Sequence, residues 1–122
     1  MKKLILAATA VVTLAFAGAV QAQEIKPADE ADLQCVAIAA VMAGQATENS
    51  QEQAGAVGGI MYFLGRLEGR TPNVDWLAKL ADYLMAMDEN TLTSAAPRCA
   101  AEMQAKGTQL ATWGQRLAGA TQ

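Results

Sequence analysis

The 122-residue sequence contains no histidine. That absence excludes serine–histidine and cysteine–histidine nucleophile pairs and removes the commonest ligand of catalytic zinc. Cysteine is almost as scarce, with Cys35 and Cys99 alone, and the two serines, Ser50 and Ser94, stand where helices are expected to begin or loops to run. Acid–base chemistry would fall to carboxylates such as Asp75 with Asp82, or Asp88 with Glu89. Exposed helical charge accounts for those pairs more simply. No enzymatic activity, metal or cofactor is therefore expected.

Aromatic residues make up 5% of the chain and prolines number three, while no segment alternates apolar with polar residues. Alanine, leucine, methionine and glutamine dominate instead, which favours helices over strands. Basic residues are also few, nine against twelve acidic ones, for a net charge of −3. Two of the nine, Lys2 and Lys3, precede an uncharged run from Leu4 to Val20 and the small-residue triplet Val20-Gln21-Ala22. This is the pattern of a secretory signal cleaved after Ala22, so the expected organisation is a signal peptide over 1–22 and one domain over 23–122. An uncleaved anchor ranks second, because no basic stop-transfer cluster follows. A lipoprotein is excluded by the lack of a cysteine at the cleavage point. Without the leader, seven basic residues face twelve acidic ones, giving −5. Such a balance disfavours nucleic acid and anionic membranes as partners.

About a hundred residues suffice for one core. Export to an oxidising periplasm makes a Cys35–Cys99 disulfide the natural state of the two cysteines. A closed loop of this length is worth about 4 kcal/mol by chain entropy.

Four helices are expected, with one short additional piece. The first runs from Pro27 or Ala28 to Ala43, with Asp29, Glu30 and Asp32 complementing its amino-terminal dipole. These acids spell DEAD by chance, since the helicase motif of that name requires a nucleotide domain. Ser50 and Gln53 form a capping box for a second helix over 51–68, closed by a left-handed Gly69. Thr71 or Asn73 caps a third over 73–87, whose stripe is Leu77, Leu80, Ala81 and Leu84. Thr91 to Ala95 form a turn or two, and Pro97 opens the last helix, to Leu117. The segments 44–50 and 88–96 are read as loops.

Glycine is abundant in an unexpected place, GAVGGIMYFLGRLEG at 55–69. Gly55, Gly58, Tyr62, Gly65 and Gly69 are spaced 3, 4, 3 and 4 and form one seam. Each interior glycine gives up about 0.8–1 kcal/mol relative to alanine, so a compensating contact is expected. Met103, Gly107, Leu110, Gly114 and Leu117 offer a matching seam, which predicts helix 2 as the central helix lying close against helix 4. A second reading of the same seam is a glycine-floored ligand groove lined by Tyr62, Trp113 and methionines. Arg66 and Arg70, four residues apart, are candidate contacts for an anion, although a helix carboxyl end attracts cations in any case.

Cys35 and Cys99 with the helical pattern between them resemble HdeA-type periplasmic acid-stress chaperones. That resemblance implies a dimer that loosens at low pH and holds unfolding clients. The run VGGIMYFLGRLEGR, then LAKLADYL and Cys99, is similar in rhythm to Tai-type periplasmic immunity proteins. That likeness implies tight pairing with a secreted enzyme, through a loop such as 44–50 or 88–96. The expected partners are thus another protein, client or enzyme, or a second copy, with no membrane span after signal cleavage. Fully protonating the acids would swing the mature charge from −5 to about +7, a self-repulsion able to loosen a small domain below roughly pH 4.

Overall fold

A computed structural model describes residues 24–121. The expected leader and its cleavage site lie outside the described residues. Helices α1 (Pro27–Gln45), α2 (Gln51–Arg70), α3 (Trp76–Ala86) and α4 (Glu89–Ala120) account for most of the described chain, and no strand occurs within it. A Cys35–Cys99 disulfide, with 5.4 Å between Cα atoms, joins α1 to α4. The all-α, disulfide-stapled fold is thus the one expected; the arrangement of its helices is not.

The central helix is α1, not α2. Its alanine-rich sequence contains no long β-branched run, and Pro27 occupies the first turn, where its missing N–H has no partner to lose. Asp29, Asp32, Leu33, Cys35, Val36, Ala37 and Ala39 are buried. At 100° per residue they sweep about 200° of the circumference, so α1 needs neighbours on several sides and contacts all three other helices.

The helix α2 buries one stripe, Ala56, Gly59, Phe63 and Leu67, and lays it on α1. This overturns the expected seam. A methyl group placed on Gly55, Gly58, Gly65, Gly69, Gly107 or Gly114 would meet nothing within 4 Å, and Tyr62 is only half-buried. Gly59, which the seam left out, is the glycine at a helix contact: a methyl there would lie 3.4 Å from the Ala39 Cβ. Two stripes competed for the core, and the one with Phe63 and Leu67 removes far more apolar surface from water, about 1.5–3 kcal/mol per large side chain.

Capping residues set the connections. Ser50 accepts from the Gln53 amide at 3.1 Å, while Gln53 Oε1 accepts from the Asn49 amide at 2.8 Å, one residue before the cap. Left-handed backbone falls on Asn49 (φ 61°) and Asn73 (φ 66°), and no described glycine has positive φ. Gly69 is therefore helical, and α2 continues to Arg70, whose side chain is held by α1. Asp75, rather than Thr71 or Asn73, caps α3 by accepting from the Ala78 amide at 3.0 Å. The buried residues of α3 are Trp76 and Leu80, and Leu77 faces outward. Trp76 is anchored by its indole N–H, which donates to the Thr71 carbonyl at 3.2 Å.

The helix α4 begins at Glu89, capped by Asp88, and passes through Pro97 without interruption. The expected short helix is merged into it, and 88–96 is not a loop. Proline inside a helix costs about 3 kcal/mol or more. Anchors on both sides of Pro97 offset that: Ala95 and Cys99 are buried, the disulfide ties α4 to α1, and Arg98 donates to the Ala31 carbonyl at 2.9 Å. Beyond Met103 nearly every residue of α4 is exposed.

Candidate functional site

The antiparallel α1–α2 pair brings the start of α1 to the end of α2, and there two buried carboxylates meet two arginines. Asp29 is 2% exposed and Asp32 is 1% exposed. Arg70 Nε donates to Asp29 Oδ1 at 2.9 Å, and its Nη2 donates to Asp32 Oδ2 and to the Ala28 carbonyl. Arg66 Nε lies 3.2 Å from Asp32 Oδ2, and Arg66 Nη1 donates to Glu102 Oε1 of α4. Thr71 Oγ1 completes the cluster by donating to Asp29 Oδ2 at 2.7 Å. The Arg66 guanidinium also sits 5.5 Å from the centre of the Tyr62 ring and 5.9 Å from that of Phe63. The start of α1, the end of α2 and the middle of α4 are thereby joined through charge.

Arg66 and Arg70 do contact anions, but the anions belong to the chain itself. Sequence reasoning assigned Asp29 and Asp32 to the helix dipole and missed their burial. Their i, i+3 spacing matches the i, i+4 spacing of the arginines, and Asp32 shares a face with Leu33 and Val36. Those two spacings were the available signal. Glu102, 32 residues beyond Arg70, left none.

Burial raises the Asp29 carboxyl, but hydrogen bonds from Thr71 and Arg70 and the charges of Arg70 and Lys26 outweigh it, leaving the group below its ordinary value. Asp32, Asp29 and their hydrogen bonds in turn hold Arg70 above its ordinary value against desolvation. Buried ion pairs do little for net stability, yet removing one partner is strongly destabilising because the other charge is left buried and alone. Among the described residues, no buried side-chain nitrogen or oxygen lacks a partner. The cluster forms a clasp that ties the start of α1 to the end of α2.

At the opposite end of the pair, α1, α2 and α4 enclose an open groove of about 400 Å³. Ile38, Ala39 and Met42 of α1, Gly55 and Ala56 of α2, and Met103 of α4 line it, with Glu52 at its lip. Its walls are almost wholly apolar. Gly55 and the methionines were expected in such a groove; Tyr62 belongs to the clasp, and Trp113 stands in solvent.

The remaining sequence candidates have structural roles. Asp75 and Asp88 cap α3 and α4, accepting from the Ala78 and Thr91 amides, and Ser50 caps α2. Tyr83 accepts from Gln34 and donates to Glu30, fastening α3 to α1. No three of His, Cys, Asp and Glu converge as a metal site among the described residues, and no described helix is long and apolar enough to cross a membrane. Compared with known protein families, curated proteins and solved structures, the chain matches none of them.

Proposed function

We propose that this chain is an exported, non-catalytic stress protein of the periplasm that holds other proteins when acid opens its clasp. The observation that carries the reading is the pair of buried carboxylates, Asp29 and Asp32, that join α1 to Arg66 and Arg70 of α2. The charged groups facing the clasp are Lys26 on its own helix, Arg66 and Arg70 on α2, and Glu102 on α4, with Glu24 and Lys79 at the rim beside Asp29. Protonation of Asp29 removes one buried counter-charge of Arg70 and weakens the hold of α1 on α2. Separation of the two helices then uncovers Leu33, Val36, Phe63 and Leu67.

The direction of the pH effect follows from Asp29. Its folded value lies below the unfolded one. Its contribution is thus fully present above the ordinary carboxylate range and is lost as pH falls through the depressed folded value. Opening is therefore an event of acid below the ordinary carboxylate range, where other proteins also lose their own carboxylate pairs. The test is light scattering from an acid-sensitive client with and without the chain. Suppressed aggregation at pH 2 to 3 and little effect at pH 7 is expected. A chain that stays closed and inert in acid, or that precipitates with the client, defeats the proposal.

A further inference from the structure

The last 17 helical residues of α4 pack on nothing, although they continue the face that carries Cys99 and Met103. At 100° per residue, Gly107, Leu110, Gly114 and Leu117 extend the same stripe, and Trp113 flanks it. Leu110 and Trp113 are each 60% exposed and Leu117 is 48% exposed. That is an apolar helix face roughly 25 Å long with no partner among the described residues. The apolar groove beside it is equally uncovered, and one of its walls is the preceding part of α4, Ala96, Cys99, Ala100 and Met103.

We infer that the occupant of the groove is the α4 end of a second copy, exchanged reciprocally. Wall and stripe are consecutive stretches of one helix face. Two chains with α4 antiparallel, related by a two-fold axis close to Gly107, therefore place each stripe over the other's groove. Such an isologous contact uses one surface twice. Doubling matters, because a single helix face falls short of the roughly 1,200–2,000 Å² that stable interfaces bury. Charge agrees with the arrangement. After Glu102, α4 carries Lys106 and Arg116 and no acid, whereas the only charged residues from 44 to 65 are Glu48 and Glu52 at the groove's end. The glycines agree as well: Gly55 in the groove and Gly107 and Gly114 on the stripe have open space above them in the single chain, which permits close approach of a neighbouring backbone.

Sedimentation of the leaderless chain at pH 7 tests this, with Trp113 fluorescence followed on dilution. The expected result is twice the chain mass at about 100 µM and a red shift as the complex dissociates. Leu110→Glu with Trp113→Glu, on the stripe, and Gly55→Leu, in the groove, each weaken association by at least about 100-fold, the scale of central interface residues. Since a Cβ at Gly55 meets nothing within 4 Å and leucine favours a helix over glycine, that variant is expected to keep the wild-type circular dichroism. Single-chain mass throughout overturns the inference. So does a double mass that both variants leave intact, or a Trp113 blue shift seen only with vesicles containing phosphatidylglycerol. The measurement is made at neutral pH, so its failure leaves the acid-opening proposal standing, and the reverse also holds.

Discussion

Two stretches of the α1–α2 pair are joined by opposite chemistry. At one end four charged side chains, Asp29, Asp32, Arg66 and Arg70, interlock. Just past the middle of the pair, Ala39 and Gly59 bring the two backbones together with almost no side chain between them. Contact between small residues carries no charge to titrate, whereas the ionic end includes Asp29, whose depressed carboxyl makes its contribution depend on pH. On the acid-response proposal the first is a hinge and the second a latch.

Five perturbations break or sharpen this contrast. The largest acts on both stretches: removing the disulfide with Cys35→Ser and Cys99→Ser costs about 4 kcal/mol, from a bridge spanning 64 residues. It is read as a fall in melting temperature at pH 7. Next, Asp32→Ala deprives both arginines of a buried partner. Because the arginine side chains are 35–37% exposed, solvent screening reduces the usual penalty to roughly 1–3 kcal/mol. At the hinge, Gly59→Val forces branched carbons against Ala39 and Met103 and costs about 1–3 kcal/mol. Denaturant titrations should return the same Gly59→Val penalty at pH 7 and pH 4; a penalty that changed with pH would erase the distinction between the two stretches. Asp29→Asn removes a group whose folded value is depressed, so the variant loses less stability than the parent between pH 5 and pH 2. The smallest effect has the opposite sign. Gly58→Ala and Gly65→Ala, facing open space, should each stabilise by about 0.5–1 kcal/mol.

The helical class, the disulfide and three of the four helix starts within a residue or three were legible because they rest on local chemistry, Pro27 for α1 and Ser50 with Gln53 for α2; for α3 only the approximate start was legible, since Asp75 and not Thr71 or Asn73 is the cap. The expectation of export made the cysteine pairing natural. The choice of packing face was not legible in α2, where glycine spacing suggested a seam and the greater apolar area of Phe63 and Leu67 decided otherwise. The clasp lay hidden for a related reason. Asp29 and Asp32 satisfy every rule for the exposed first turn of a helix, and only the return of α2 with arginines at matching height reveals them as buried. Pro97 misled in the same way: local preference starts a helix there, and the ties of Cys99 and Arg98 to α1 carry the helix through it.

The sulfur bridge has a bearing on recovery from acid. It links α1 to α4 and spares α2, so the element released by the latch is the middle of a covalent ring running from Cys35 round to Cys99. A molecule opened in this way cannot lose track of its own ends. On the acid-response proposal, an α2 set free by acid has only a confined volume to search for its old seat once the pH is restored.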